Sequence, residues 1–294
     1  MVSSPPEHQK QKNWDFSTLV VCVVVKAGPP KLKFRNCYGS NNRPIRALEF
    51  VLVLGLGLMS APVHATERNS EPLTTTTSDQ SEVLSAKQLA IPLIASFMAV
   101  SDMPNLNSAL HSGLDAGLTV SEVKEVLVQL YAYAGFPRSL NALSELMKVL
   151  EVRKQRGIQD ALGREPSRAI PTGAMLISVG KANQTKISGA PVQGPLFDFA
   201  PVINQYLQAH LFGDIFERDN LDWQSRELAT VGALAATQGA EPQLRSHVAA
   251  SMRVGLTAEQ LRQLIKILAE RGDTIAAQRA DAALKQALAA APTR

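Results

Sequence analysis

The chain has 294 residues, enough for one or two domains with a sizeable core. Its net charge of +4 is unevenly spread: residues 1–65 hold 8 of the 30 Lys/Arg and 3 of the 26 Asp/Glu, leaving 22 and 23 in the rest. That near-neutral remainder has no Lys/Arg stripe with interleaved aromatics, which excludes nucleic acid as an expected partner.

Residues 1–42 read as an extension, either disordered or placed ahead of the native start. Residues 43–65 have the pattern of a secretory signal peptide: Arg43 and Arg46, an apolar run from Leu48 to Met59, then Ser60-Ala-Pro-Val-His-Ala65 ending in a small residue. The apolar run is about twelve residues, too short to span a bilayer comfortably. Export to the periplasm or medium is expected, with cleavage near Ala65 and no membrane attachment afterwards. An uncleaved anchor or a buried helix is the plainer alternative. Cys22 and Cys37 both precede that point, so the mature chain would have no disulfide, no Cys–metal site and no thiol chemistry.

Residues 66–83, rich in Thr, Ser and Glu, read as a flexible segment. A first helical unit is expected over 84–155. Leu89, Leu93 and Phe97 recur at four-residue spacing, as do Leu106, Leu110 and Leu114. Thr119 with Glu122 fits a capping box ahead of a helix whose stripe is Val123, Val126, Leu127 and Leu130. Gly135-Phe-Pro137 then starts a helix running to about Arg153. Residues 156–195, with scattered Gly and Pro, read as an irregular connector.

A second unit is expected over 196–294. Leu196–Phe216 resumes a helical pattern, and three stripes follow: Leu228/Val231/Ala235, Leu244/Val248/Met252, and Leu261/Leu264/Ile265/Leu268 behind a Thr257/Gln260 box. An Ala-rich helix closes the chain over roughly 274–290. The mature protein is therefore expected to be all-α, built from two tandem helical bundles.

The two units align without gaps at an offset of 138: Pro104, Leu106, Ser108 and Gly117-Leu-Thr119 return as Pro242, Leu244, Ser246 and Gly255-Leu-Thr257. At that offset Glu227 answers to Leu89, and His247 to Ala109. Tyr131, Tyr133, Arg138 and Asn141 answer to Ala269, Arg271, Ala276 and Arg279. Each unit thus carries a polar set that its counterpart lacks. Glu227 and His247 are candidate catalytic residues, since a carboxylate beside an imidazole holds the ring in one tautomer for general acid or base work. A structural Glu–His hydrogen bond is the bland reading of the same pair. Tyr131, Tyr133, Arg138 and Asn141 are candidate substrate-binding residues, and a composite pocket would face Tyr133 and Arg138 toward the pair. Arg226 and Arg245 read as solvated surface charges, though either could meet an anion. His111 and His210 are not spaced as metal ligands with each other or with His247, so no metal is expected. Ser108 and Ser246 match across both units, which favours a structural role.

Gly117-Leu-Thr-Val-Ser-Glu-Val-Lys-Glu125, Tyr131-Ala-Tyr133-Ala-Gly-Phe-Pro137-Arg-Ser-Leu-Asn141, Phe212-Gly-Asp-Ile-Phe216 with Arg218, Arg226-Glu-Leu-Ala-Thr230, His247 and Gly255-Leu-Thr257 together resemble the carboxymuconolactone decarboxylase family, whose superfamily includes alkylhydroperoxidase D-like proteins. The resemblance covers about 84–153 and 196–290. It implies cofactor-free decarboxylation or isomerisation of a small lactone or carboxylic acid. Arg138 would bind carboxylate, Tyr133 would donate to an oxyanion, and His247 with Glu227 would deliver a proton. A non-catalytic small-ligand-binding or assembly module of the same fold is the alternative, and a homo-oligomer is expected. Peroxidase members of the superfamily use a Cys-x-x-Cys pair shortly before the His. Ala240 and Gln243 stand there in this chain, which disfavours thiol peroxidase chemistry.

Overall fold

The computed structural model describes residues 83–290; the expectations for 1–42, for the signal segment 43–65 and for 66–82 lie outside the described residues. The described residues form helices and connecting turns, with no strand among them, and none of these helices is long and apolar enough to cross a membrane.

Ser85 opens α1 (Ala86–Val100) with a reciprocal box to Gln88, and Asp102 accepts from Asn105 N at the start of α2 (Met103–Asp115). Thr119 and Glu122 form the expected box ahead of α3 (Val120–Gln129). These side chains satisfy N–H groups that the first helical turn leaves unpaired. After the single turn α4 (Tyr131–Ala134), Gly135 at φ 87° redirects the chain into α5 (Phe136–Gln155). That positive φ is one glycine adopts without strain.

The stretch 156–195 is not irregular throughout. It contains α6 (Gly173–Ser188), followed by α7 (Pro195–Phe199), α8 (Pro201–Tyr206) and a π-helical segment, Leu207–Ile215. The periodicity of α6 was masked because only Gly180, Gln184 and Ile187 of that helix are buried. Its buried stripe is one glycine, one amide and one aliphatic side chain. Close approach explains the glycine: a Cβ at Gly180 would meet the Gln208 carbonyl oxygen at 1.7 Å, so only glycine lets α6 lie on the π-helical segment. The preceding connector is held too, since Val120 N and Ser121 N donate to Ala161 O and Leu162 O, each at 2.9 Å.

Asp222 then caps α9 (Trp223–Ala236), Pro242 lies in the first turn of α10 (Glu241–Arg253), Thr257 and Gln260 box α11 (Ala258–Arg271), and Asp273 caps α12 (Thr274–Ala289). The starts of α2, α3 and α5 precede those of α10, α11 and α12 by 138 residues: 103 and 241, 120 and 258, 136 and 274.

The centre of the fold is α1 against α9. Ala90–Ala99 and Ser225–Ala236 are buried without a break, as expected of helices enclosed on every side. At their crossing, a Cβ on Gly232 would stand 2.6 Å from Pro92 O and 2.7 Å from Pro92 Cα. Apolar residues from Leu84 to Ala287 belong to one core that includes this contact.

Candidate functional site

Glu227 sits in the enclosed α9 and has no exposed surface, while His247 lies on α10 beside buried Val248 with 14% of its side chain exposed. The imidazole Nδ1 is 2.9 Å from Glu227 Oε2. A carboxylate only accepts, so Nδ1–H donates and Nε2 is the nitrogen left for a ligand. Glu227 Oε1 is buried without a hydrogen-bond partner.

The set from the first half is divided by the fold. Tyr133 of α4 meets His247 edge-on, with ring centroids 5.4 Å apart. Its hydroxyl is buried and makes no close hydrogen bond, with the Thr230 side chain as a longer-range partner. Burial, reinforced by the Glu227 carboxylate, pushes this phenol well above the ordinary tyrosine range, so it stays protonated at physiological pH. Tyr131 stacks on Phe136 at 4.2 Å and tilts toward His210 at 5.4 Å, away from the pair. Arg138 and Asn141 are exposed on α5, where Arg138 Nη1 donates to Ala134 O at 2.9 Å. Of the four, only Tyr133 meets the Glu227–His247 pair. Four-residue helix α4 has two tyrosines two positions apart, which turns them to different sides.

His247 opens onto a cleft of about 820 Å³ with α10 as its floor. Ile187, Ser188 and Val192, Phe212 of the π-helical segment, and Ala287 and Ala290 make its walls. Arg245 and Arg253 also line it, and among the described residues no Asp or Glu does. Tyr133 and Arg138 are not part of the lining. The cleft thus combines an apolar surface, two guanidiniums and an imidazole oriented from behind by a buried carboxylate.

Arg226 is not the solvated charge its sequence context suggests. It is fully buried, and its Nη2 donates to Glu125 Oε1 at 2.9 Å and to Arg218 O at 2.8 Å, with Nη1 on Gln129 Oε1 at 2.9 Å. Gln129 Nε2 returns to Thr230 Oγ1 and Arg226 O, both at 2.9 Å. Arg218 Nε reaches both oxygens of Glu125 at 2.8 and 2.9 Å. Burial drives the Glu125 carboxyl upward, but the Arg218 and Arg226 guanidiniums outweigh it and hold the group below the usual carboxylate range. Burial in turn lowers the Arg226 guanidinium from its ordinary value, against the pull of Glu125. This network ties α3 to α9 at Arg226, the residue before Glu227. Its legible trace in the sequence is Glu125 and Gln129, two polar residues at i,i+4 inside an apolar stripe.

Ser108 and Ser246 each return a hydroxyl to the carbonyl four residues earlier, Pro104 O at 3.2 Å and Pro242 O at 3.0 Å, as helix back-bonds do. Among the described residues no group of three or more His, Cys, Asp or Glu is placed to hold a metal ion. Sequence reasoning missed Arg253 as a cleft residue, and nothing in its local pattern separates it from other helix-terminal arginines.

Residues 201–286 match the model of the Carboxymuconolactone decarboxylase family. The match takes in Glu227, His247 and all of α10, and the all-helical fold is of the type expected for that family and its alkylhydroperoxidase D-like relatives. No curated protein matches the chain.

Proposed function

We propose that this carboxymuconolactone decarboxylase-like protein binds a small carboxylate or lactone in the α10 cleft and exchanges a proton with it through His247. The carrying observation is the His247–Glu227 contact of 2.9 Å, with the imidazole in a cleft lined by two arginines and, among the described residues, by no Asp or Glu. Glu227 fixes the tautomer, Nε2 faces the ligand, and Arg245 or Arg253 pairs with its acid group.

The chemistry that fits is decarboxylation or isomerisation without a cofactor. In an unsaturated lactone with a γ-carboxylate, the electron pair released with CO2 passes through the ring double bond into the lactone carbonyl. The resulting dienolate is quenched by a proton returned to carbon. Guanidinium donors stabilise the oxyanion, and His247 supplies the proton. Tyr133 lies behind His247 and off the cleft lining, so it positions the pair and does not hold the oxyanion. Arg138, exposed and bonded to Ala134 O, is not assigned to the ligand.

A second reading, a binding module without turnover, is favoured by one observation: Arg138 and Asn141 do not join the pair. Thiol peroxidase activity is not proposed, because the chain has no Cys after Cys37. The two readings separate in an assay of CO2 release and lactone isomerisation over a panel of γ-carboxylated butenolides. Saturable binding with no turnover selects the binding module, and neither binding nor turnover rejects both.

The first half is proposed as a second copy of the same helical unit, on the recurrence of helix starts 138 residues apart. A homo-oligomer is proposed on the exposed Phe136, Leu140 and Met147 of α5, a stripe that an isolated helix face leaves in water. Export with cleavage near Ala65 is proposed on the sequence of residues 43–65.

A further inference from the structure

We infer that the α10 cleft takes an elongated amphipathic anion, an acid group joined to an extended apolar body, in preference to a compact acid. This rests on the reading of the cleft as a carboxylate site and narrows it. At about 820 Å³ the cleft falls in the size range of pockets that enclose drug-sized ligands, and a single lactone ring fills only a fraction of it. Arg245 and Arg253 are eight residues apart on α10, which separates them by about 12 Å along the helix axis.

The surface around them is mostly apolar, with Ala249, Ala250 and Met252 on the floor and Ile187, Val192 and Phe212 on the wall, broken by Ser188, Ser246 and His247. Met252 is unbranched and adapts to chains of varied shape. Both arginines are tethered at one nitrogen, Arg253 Nη1 to Ile187 O at 3.2 Å and Arg245 Nη1 to Gln286 Oε1 at 3.5 Å. A guanidinium has five N–H donors, so each keeps donors for an acid group. A compact acid paired with either arginine leaves the apolar strip in water, whereas an extended chain covers it.

The test is calorimetric titration of the full chain with hexanoate, octanoate, decanoate and dodecanoate, each below its micellar concentration, with dodecyltrimethylammonium as the cationic control. Affinity is expected to climb along the series by up to about fourfold per added methylene. Arg245→Met or Arg253→Met is expected to weaken dodecanoate at least about tenfold. Ala249→Phe, which narrows the floor without touching charge, is expected to penalise dodecanoate more than hexanoate. Circular dichroism checks that each variant folds.

Equal affinity for hexanoate and dodecanoate, with an arginine variant still weakening both, overturns the elongated ligand and leaves the small-carboxylate reading standing. Binding of dodecyltrimethylammonium as tight as that of dodecanoate, dodecanoate binding indifferent to both arginine variants, or no binding by any alkanoate overturns both.

Discussion

Tyr133, from the first half of the chain, meets His247, from the second, edge-on with ring centroids 5.4 Å apart. The contact is aromatic, and the buried phenol oxygen makes no close hydrogen bond, just a longer interaction with the Thr230 side chain. Removing a buried hydroxyl so poorly satisfied relieves more desolvation than its Thr230 interaction returns. Tyr133→Phe is therefore expected to raise unfolding free energy by about 1 kcal/mol, read by urea denaturation, while keeping the ring packed on His247. A clear loss of stability would show that the hydroxyl is paired in solution.

The buried Glu125–Arg226 pair behaves differently from the surface pairs. Arg226→Met leaves Glu125 in the interior with Arg218, which is 34% exposed, and the neutral Asn220 amide as its remaining partners. The expected cost is about 3 kcal/mol, the lower end for a broken buried pair because Arg218 remains. Glu125→Met combined with Arg226→Met should recover much of that loss, and a double variant as unstable as the sum of the singles would contradict the account.

Acid sensitivity follows from the same carboxylate. The folded-state pKa of Glu125 is lowered, because two guanidiniums overcome the upward push of burial. A lowered folded value means that the group contributes stability fully above its ordinary unfolded pKa of about 4.3, and that this contribution is lost as pH falls through the folded value. Stability measured at stepped pH should hold from neutral to about pH 5 and decline below about 4.3. The decline should be shallower in Glu125→Gln, and an unchanged slope would locate the acid sensitivity elsewhere.

Gly232 sets the spacing of the two central helices. Gly232→Ala places a Cβ against the Pro92 backbone, which cannot move aside as a flexible side chain would. A destabilisation of about 1–3 kcal/mol is expected. Helix propensity alone would favour alanine by about 1 kcal/mol, so a stabilised variant would mean that α1 and α9 part freely.

Much of the fold was legible because its signals are local. The Thr119/Glu122 and Thr257/Gln260 boxes, and the stripes of α2, α3, α10 and α11, are periodic patterns that burial then uses. Glu227 and His247 stood out because they replace Leu89 and Ala109 of the other half, and the fold brings them to 2.9 Å. What stayed hidden depends on contacts distant in sequence. Helix α6 exists by docking on the π-helical segment at Gly180, and Arg226 is drawn inside by Glu125, 101 positions earlier. Tyr131 and Tyr133 look alike in sequence, yet one packs toward His210 and the other toward His247.

Proton delivery by His247 is the central claim, and deuterium incorporation tests it most directly. The panel of γ-carboxylated butenolides is incubated in D2O with the wild type, His247→Gln and Glu227→Gln, and deuterium at carbon is followed by NMR. Incorporation by the wild type, slowed about 10²–10⁴-fold in His247→Gln at unchanged stability and slowed less in Glu227→Gln, is the predicted result. Incorporation at the wild-type rate in His247→Gln, or none by the wild type with any member of the panel, would contradict it.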